Sequence, residues 1–120
     1  GAEEVAVWGT GSARREFLHV DDLADACLFL MDHYSEVRHI NVGTGSDCTI
    51  AELAAMIRDL VHPGAELAFD VSKPDGMPRK VLDVSKLTDL GWSAGTSLAS
   101  GLASTYEWFL AALDRGEVRL

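Results

Sequence analysis

Apolar residues along this chain recur with two different periods, and the changes between them mark out its elements. Short apolar or alternating runs at Val5–Trp8, Arg15–Val20, Arg38–Gly43 and Glu66–Val71 predict brief strands. Leu23, Cys27, Leu30, Met31 and Tyr34 follow the i, i+4, i+7, i+8, i+11 spacing of a buried helical stripe, predicting a helix from Asp21 to about Tyr34. Asp21 and Asp22 stand at its start, where carboxylates accept free backbone N–H groups and meet the positive end of the dipole. A second helix opens on the capping box Thr49-Ile50-Ala51-Glu52, buries Ile50, Leu53, Ala54, Ile57, Leu60 and Val61, and stops at Pro63-Gly64. A short helix from Ser85 to Leu90 closes at Gly91, and Trp92 is assigned to the core. The last helix starts near Ser97 and docks through Leu98, Leu102, Tyr106, Phe109, Leu110 and Leu113. The expected fold is α+β, with short strands, helices and no complete Rossmann sheet.

At 120 residues the chain reads as one domain, long enough to bury a real core. Its 48% hydrophobic and 24% charged content suits a soluble globular fold. A net charge of −9 leaves no broad basic face, so nucleic acid is not an expected partner. No apolar run nears the ~20 residues of a membrane span, and no signal peptide opens the chain. A cytoplasmic protein is expected. Cys27 and Cys48 lack a Cys-x-x-Cys pair or clustered histidines, and read as buried small hydrophobes rather than a disulfide or metal site.

Candidate chemistry concentrates in two loops. Ser72-Lys73-Pro74-Asp75-Gly76-Met77-Pro78-Arg79-Lys80 is stiffened by two prolines and carries three cations, and Gly9–Arg15 adds Arg14 and Arg15. Half of the ten basic residues thus sit in two short loops of an acidic chain, which points to a bound anion. Solvated loop charge is the plainer alternative for any single lysine. Trp8 is either half-buried packing or a flat wall for a base or sugar. Asp75 either accepts N–H groups of a base or forms an ordinary turn. Arg14, Lys73 and Arg79 shape the field, and Arg79 is alternatively a buried partner of a local aspartate. His19 reads as structural. Gly9-Thr10-Gly11 has no third glycine and no helix after it, so it does not begin a dinucleotide fingerprint. Gly43-Thr44-Gly45 before the second helix lacks a Walker lysine.

Val7–Gly11, Arg15–Asp22, His39–Gly45, Thr105–Leu110 and above all Ser72–Lys80 resemble, in collinear order, the C-terminal part of the GDP-L-fucose synthase family. These enzymes are extended short-chain dehydrogenase/reductases. Ala13 replaces a common proline and Met77 a common threonine, while the cation positions are kept. The resemblance implies that residues 1–120 are a single C-terminal substrate-binding domain. An N-terminal NADP-binding Rossmann domain, with the Ser-Tyr-Lys set and the acid–base Cys and His, would lie upstream. Cys27, Cys48 and His19 do not match those groups, so neither catalytic nor cofactor-binding residues are expected here. The resemblance places Trp8, Arg15 and Lys80 among the GDP-sugar contacts, with Asp75 a further member. It implies an intact homodimeric enzyme that epimerises GDP-4-keto-6-deoxy-D-mannose and reduces it with NADPH. Another sugar-nucleotide epimerase or dehydratase, and a free-standing non-catalytic binding or interaction module, are the competing readings.

Overall fold

The computed structural model describes residues 3–118. Nine elements follow one another: β1 (Glu4–Trp8), β2 (Arg14–Arg15), α1 (Val20–His33), β3 (Cys48–Thr49), α2 (Ile50–Val61), β4 (Glu66–Asp70), β5 (Arg79–Lys80), α3 (Ser85–Asp89) and α4 (Leu98–Asp114). β1 and β4 form a parallel pair running from Glu4↔Glu66 to Trp8↔Asp70. A second small sheet has the order β3-β2-β5, antiparallel on one side of β2 and parallel on the other. The result is a mixed helix and strand arrangement with partial sheets.

Two predicted strands shrink or vanish. Of Arg15–Val20 only Arg15 enters a ladder, and Arg38–Gly43 forms none. Ile40 and Val42 spend their apolar side chains on the core cluster, and no described strand lies beside them. The helices sit where their patterns place them, but their details differ. At α1 the cap is His19, whose Nδ1 accepts the Asp21 N–H at 3.3 Å. Asp22 instead reaches across to Thr96, accepting its N–H at 2.9 Å and its hydroxyl at 3.1 Å. α2 keeps its reciprocal capping box between Thr49 and Glu52. Ser97 caps α4.

The buried stripe of α1 is not the predicted one. Met31 is 79% exposed and Cys27 is exposed, whereas Ala26 is fully buried with Phe29 and Leu30 beside it. The apolar side of α1 is broad enough to offer more than one stripe. Ala26, with only a methyl group, admits Leu87 and the Trp92 indole, and that close approach selects the face. Trp92 is in the core as its sequence context predicts, its Nε1 donating to Asp25 at 2.8 Å.

The expected large core does not form. The described buried apolar residues are Ala13, Ala26, Ala65, Leu87, Trp92 and Ala112. A chain of this length normally packs to a radius of gyration of about 14 Å, but this one has 17.2 Å and extents of 51 × 38 × 21 Å. It is a slab with open apolar faces. α2 buries no residue fully, and Ile57, Leu60 and Val61 stay exposed. Leu110 of α4 is likewise exposed, although Leu98, Leu102, Tyr106, Phe109 and Leu113 are half-buried.

Candidate anion-binding site

The two cation-bearing loops meet through their backbones. In the parallel β2–β5 ladder Arg14 stands opposite Arg79 and Arg15 opposite Lys80, with the Arg14 N–H donating to the Pro78 carbonyl at 2.8 Å. Residues opposite one another in a ladder share a face, and successive residues alternate faces. Arg15 and Lys80, 65 positions apart in sequence, therefore point the same way. Both line an open cleft of about 710 Å³, with Glu16, Met77, Arg79 and Leu82 among the other walls. The Arg15 guanidinium braces itself on the Arg14 carbonyl at 2.7 Å. Among the described residues neither Arg15 nor Lys80 has a carboxylate partner.

Arg14 and Arg79 are spent differently. Asp47, with a side chain only 5% exposed, accepts from Arg14 Nε at 2.8 Å and from Arg79 Nε. Arg14 also donates to the Asp47 backbone carbonyl at 3.2 Å. The hydrogen bonds from Arg79 and Arg14 hold the Asp47 carboxyl below the usual range. Arg79 thus has an aspartate partner, but it is distant in sequence and the arginine itself is largely exposed.

Asp75 joins the loops from their other end. Its carboxylate accepts the Thr10 hydroxyl at 2.8 Å and the Thr10 N–H at 2.6 Å, and these bonds lower its pKa. Gly9 has φ +84°, and a Cβ there would lie 2.3 Å from Asp75 Oδ1. Only glycine fits that approach. Trp8 does not line the Arg15–Lys80 cleft. It stands 72% exposed at the end of β1, with the Lys73 ammonium 5.5 Å from its ring centroid.

Glu16 is a pin that the sequence alone does not single out. Its Oε1 accepts the N–H groups of Thr44 and Gly45, each at 2.6 Å, and its Oε2 accepts the Leu82 N–H at 2.8 Å. Burial alone would raise this carboxyl, but the Leu82, Gly45 and Thr44 donors outweigh it and leave the pKa lowered. Glu16 and Asp47 carry no signal beyond being acids near a strand and before a capping box. Their partners are supplied by segments 28 to 66 positions away.

Cys48 is half-buried and Cys27 exposed, so neither is the buried hydrophobe predicted. Burial pushes the Cys48 thiol up. His19 is structural, its second nitrogen lying 3.3 Å from the Ser104 hydroxyl. Among the described residues no cluster of three acidic, His or Cys side chains is arranged for a metal. No helix there is long and apolar enough to cross a membrane. Gly9–Gly11 leads to β2, and the first N–H groups of α2 are taken by the Ala13 carbonyl (Ile50), the Gly11 carbonyl (Ala51) and the Thr49 hydroxyl (Glu52).

The NAD dependent epimerase/dehydratase family profile matches residues 1–43. GDP-L-fucose synthase 1 of Arabidopsis thaliana is 57% identical over 110 residues, covering 92% of this chain and 34% of that protein. GDP-L-fucose synthase of Escherichia coli is 53% identical over 123 residues, covering 95% and 38%. The chain is homologous to part of GDP-L-fucose synthase. It spans about a third of the length of these curated relatives. The crystal structure of a GDP-L-fucose synthetase from Naegleria fowleri bound to NADP superposes with a TM-score of 0.88 at 25% identity, over 96% of this chain and 37% of that one. The slab shape and open faces accord with a chain that matches a fraction of these larger molecules.

Proposed function

We propose that this chain is the GDP-sugar-binding part of a GDP-L-fucose synthase. In the intact enzyme a further NADP-binding domain would supply cofactor and proton-transfer groups. That enzyme would epimerise GDP-4-keto-6-deoxy-D-mannose and reduce it to GDP-L-fucose, as a homodimer in the cytoplasm. The observation that carries the reading is the Arg15–Lys80 pair, side by side on one cleft and without a carboxylate partner among the described residues. A diphosphate matches it, because arginine offers a planar fork and lysine a point charge to adjacent anionic oxygens. Trp8 serves as a flat wall for base or sugar, and Asp75 as the pin that sets the loops. These residues act on rate through placement, since binding far from the reacting carbons positions the ketone.

Titration of this chain with GDP, UDP and NADP tests the reading. GDP is expected to bind and NADP not to. Arg15→Ala and Lys80→Ala should each weaken GDP about ten- to a hundredfold, the scale of a charge-assisted contact. The double variant should depart from additivity, because both groups touch one ligand. Equal affinity of wild type and both variants would remove the shared-site reading. A clear preference for UDP would move the assignment to another sugar-nucleotide enzyme.

A further inference from the structure

The β2–β5 ladder holds an electrostatic conflict. Four cations occupy its four paired positions, Arg14 opposite Arg79 and Arg15 opposite Lys80, with strands about 4.8 Å apart. Like charges directly opposite one another oppose strand pairing. On one face the conflict is resolved internally, because the nearly buried Asp47 carboxylate gives one oxygen to each arginine. On the other face nothing among the described residues resolves it. We infer that Asp47 is a positioning residue, which neutralises the Arg14–Arg79 face so that the ladder stays closed and Arg15 and Lys80 are presented together to an anion.

Asp47 touches no ligand in this scheme. It works through Arg14 and Arg79, and a bound diphosphate would play the corresponding part on the opposite face. The anion half of the inference rests on the diphosphate reading above; the ladder half does not. The position of Asp47 suits this role. It immediately precedes β3, which pairs with β2, so its backbone is fixed by the sheet it stabilises. Asp47→Asn keeps the shape but removes the charge, leaving two facing guanidinium groups uncompensated.

The test combines amide hydrogen exchange with GDP titration on the whole chain. In Asp47→Asn, exchange of the Arg14 amide, bonded to the Pro78 carbonyl, should accelerate at least tenfold while amides in α1 and α4 stay within about twofold. GDP affinity should fall about tenfold. Adding Arg79→Gln removes one of the facing charges and should return Arg14 exchange to within about threefold of wild type. A merely structural aspartate would not be rescued by deleting its partner. Unchanged exchange at Arg14 in Asp47→Asn, or failure of the double variant to recover, overturns the inference. If Asp47→Asn does not fold, the double variant decides alone: it must fold and keep its Arg14 amide protected. If wild type fails to bind GDP, the diphosphate reading falls, and exchange at Arg14 still decides the role of Asp47.

Discussion

Single side chains hold the loops of this protein in place more than its core does. Glu16 gathers three backbone N–H groups from two segments, and its carboxyl is held below the ordinary range by the Leu82, Gly45 and Thr44 donors despite the opposing effect of burial. A depressed folded pKa means that its stabilisation is present above the unfolded carboxylate pKa and lost as pH falls through the folded value. Glu16→Gln should therefore destabilise the chain by about 1.5–3 kcal/mol at pH 7, the scale of hydrogen bonds to a charged group. Denaturant melts at pH 7 and pH 3 check this. The gap between wild type and variant should narrow at the lower pH, and a gap that does not change would contradict the charge-based account. Asp75 and Asp47 follow the same sign, each lowered by hydrogen bonds from its partners.

Elements here are short where the site is and long elsewhere. β2, β3 and β5 have two residues each, too few to be stable by ladder bonds alone, so the contacts around them matter. The Gly9–Thr10 turn is one such contact, with Asp75 against the glycine and bonded to the threonine. Gly9→Ala combines a positive φ with a steric conflict and should cost about 1–3 kcal/mol. It should also weaken GDP binding by displacing the Ser72–Lys80 loop. Thermal melting together with a GDP titration measures both, and a fully stable variant with wild-type affinity would show that the turn does not set the loop. The first turn of α2 is held both by its capping box and by the preceding loop, the Ile50 and Ala51 N–H groups donating to the Ala13 and Gly11 carbonyls at 2.9 Å each.

As a whole the molecule is an open slab. Val20, Leu28 and Met31 on α1 are each at least 65% exposed, and Leu23 and Cys27 are exposed as well. An apolar surface of this kind is expected to make the chain associate with itself. Met31→Glu should reduce that association, read by light scattering across a concentration series. It should change stability by less than about 0.5 kcal/mol, as exposed substitutions do. A large loss of stability would mean that Met31 is packed rather than free.

How much of this is legible in the sequence depends on the range of the interaction. The α2 capping box, the Ser97 start of α4 and the Gly91 stop are all readable, because each is set by residues within a few positions. The clustering of cations in two loops is readable as well, since it is composition along the chain. Which stripe of α1 is buried is not, because its apolar side is broad enough to offer more than one stripe and only contact with Leu87 and Trp92 chooses between them. The strand predicted at Arg38–Gly43 needs a neighbour that the described residues do not provide, and no local pattern reports a missing neighbour. Local sequence determined where most elements begin and end. Tertiary structure alone decided which cations are neutralised, because Asp47 meets Arg14 and Arg79 only after three short strands bring segments more than thirty positions apart into one ladder.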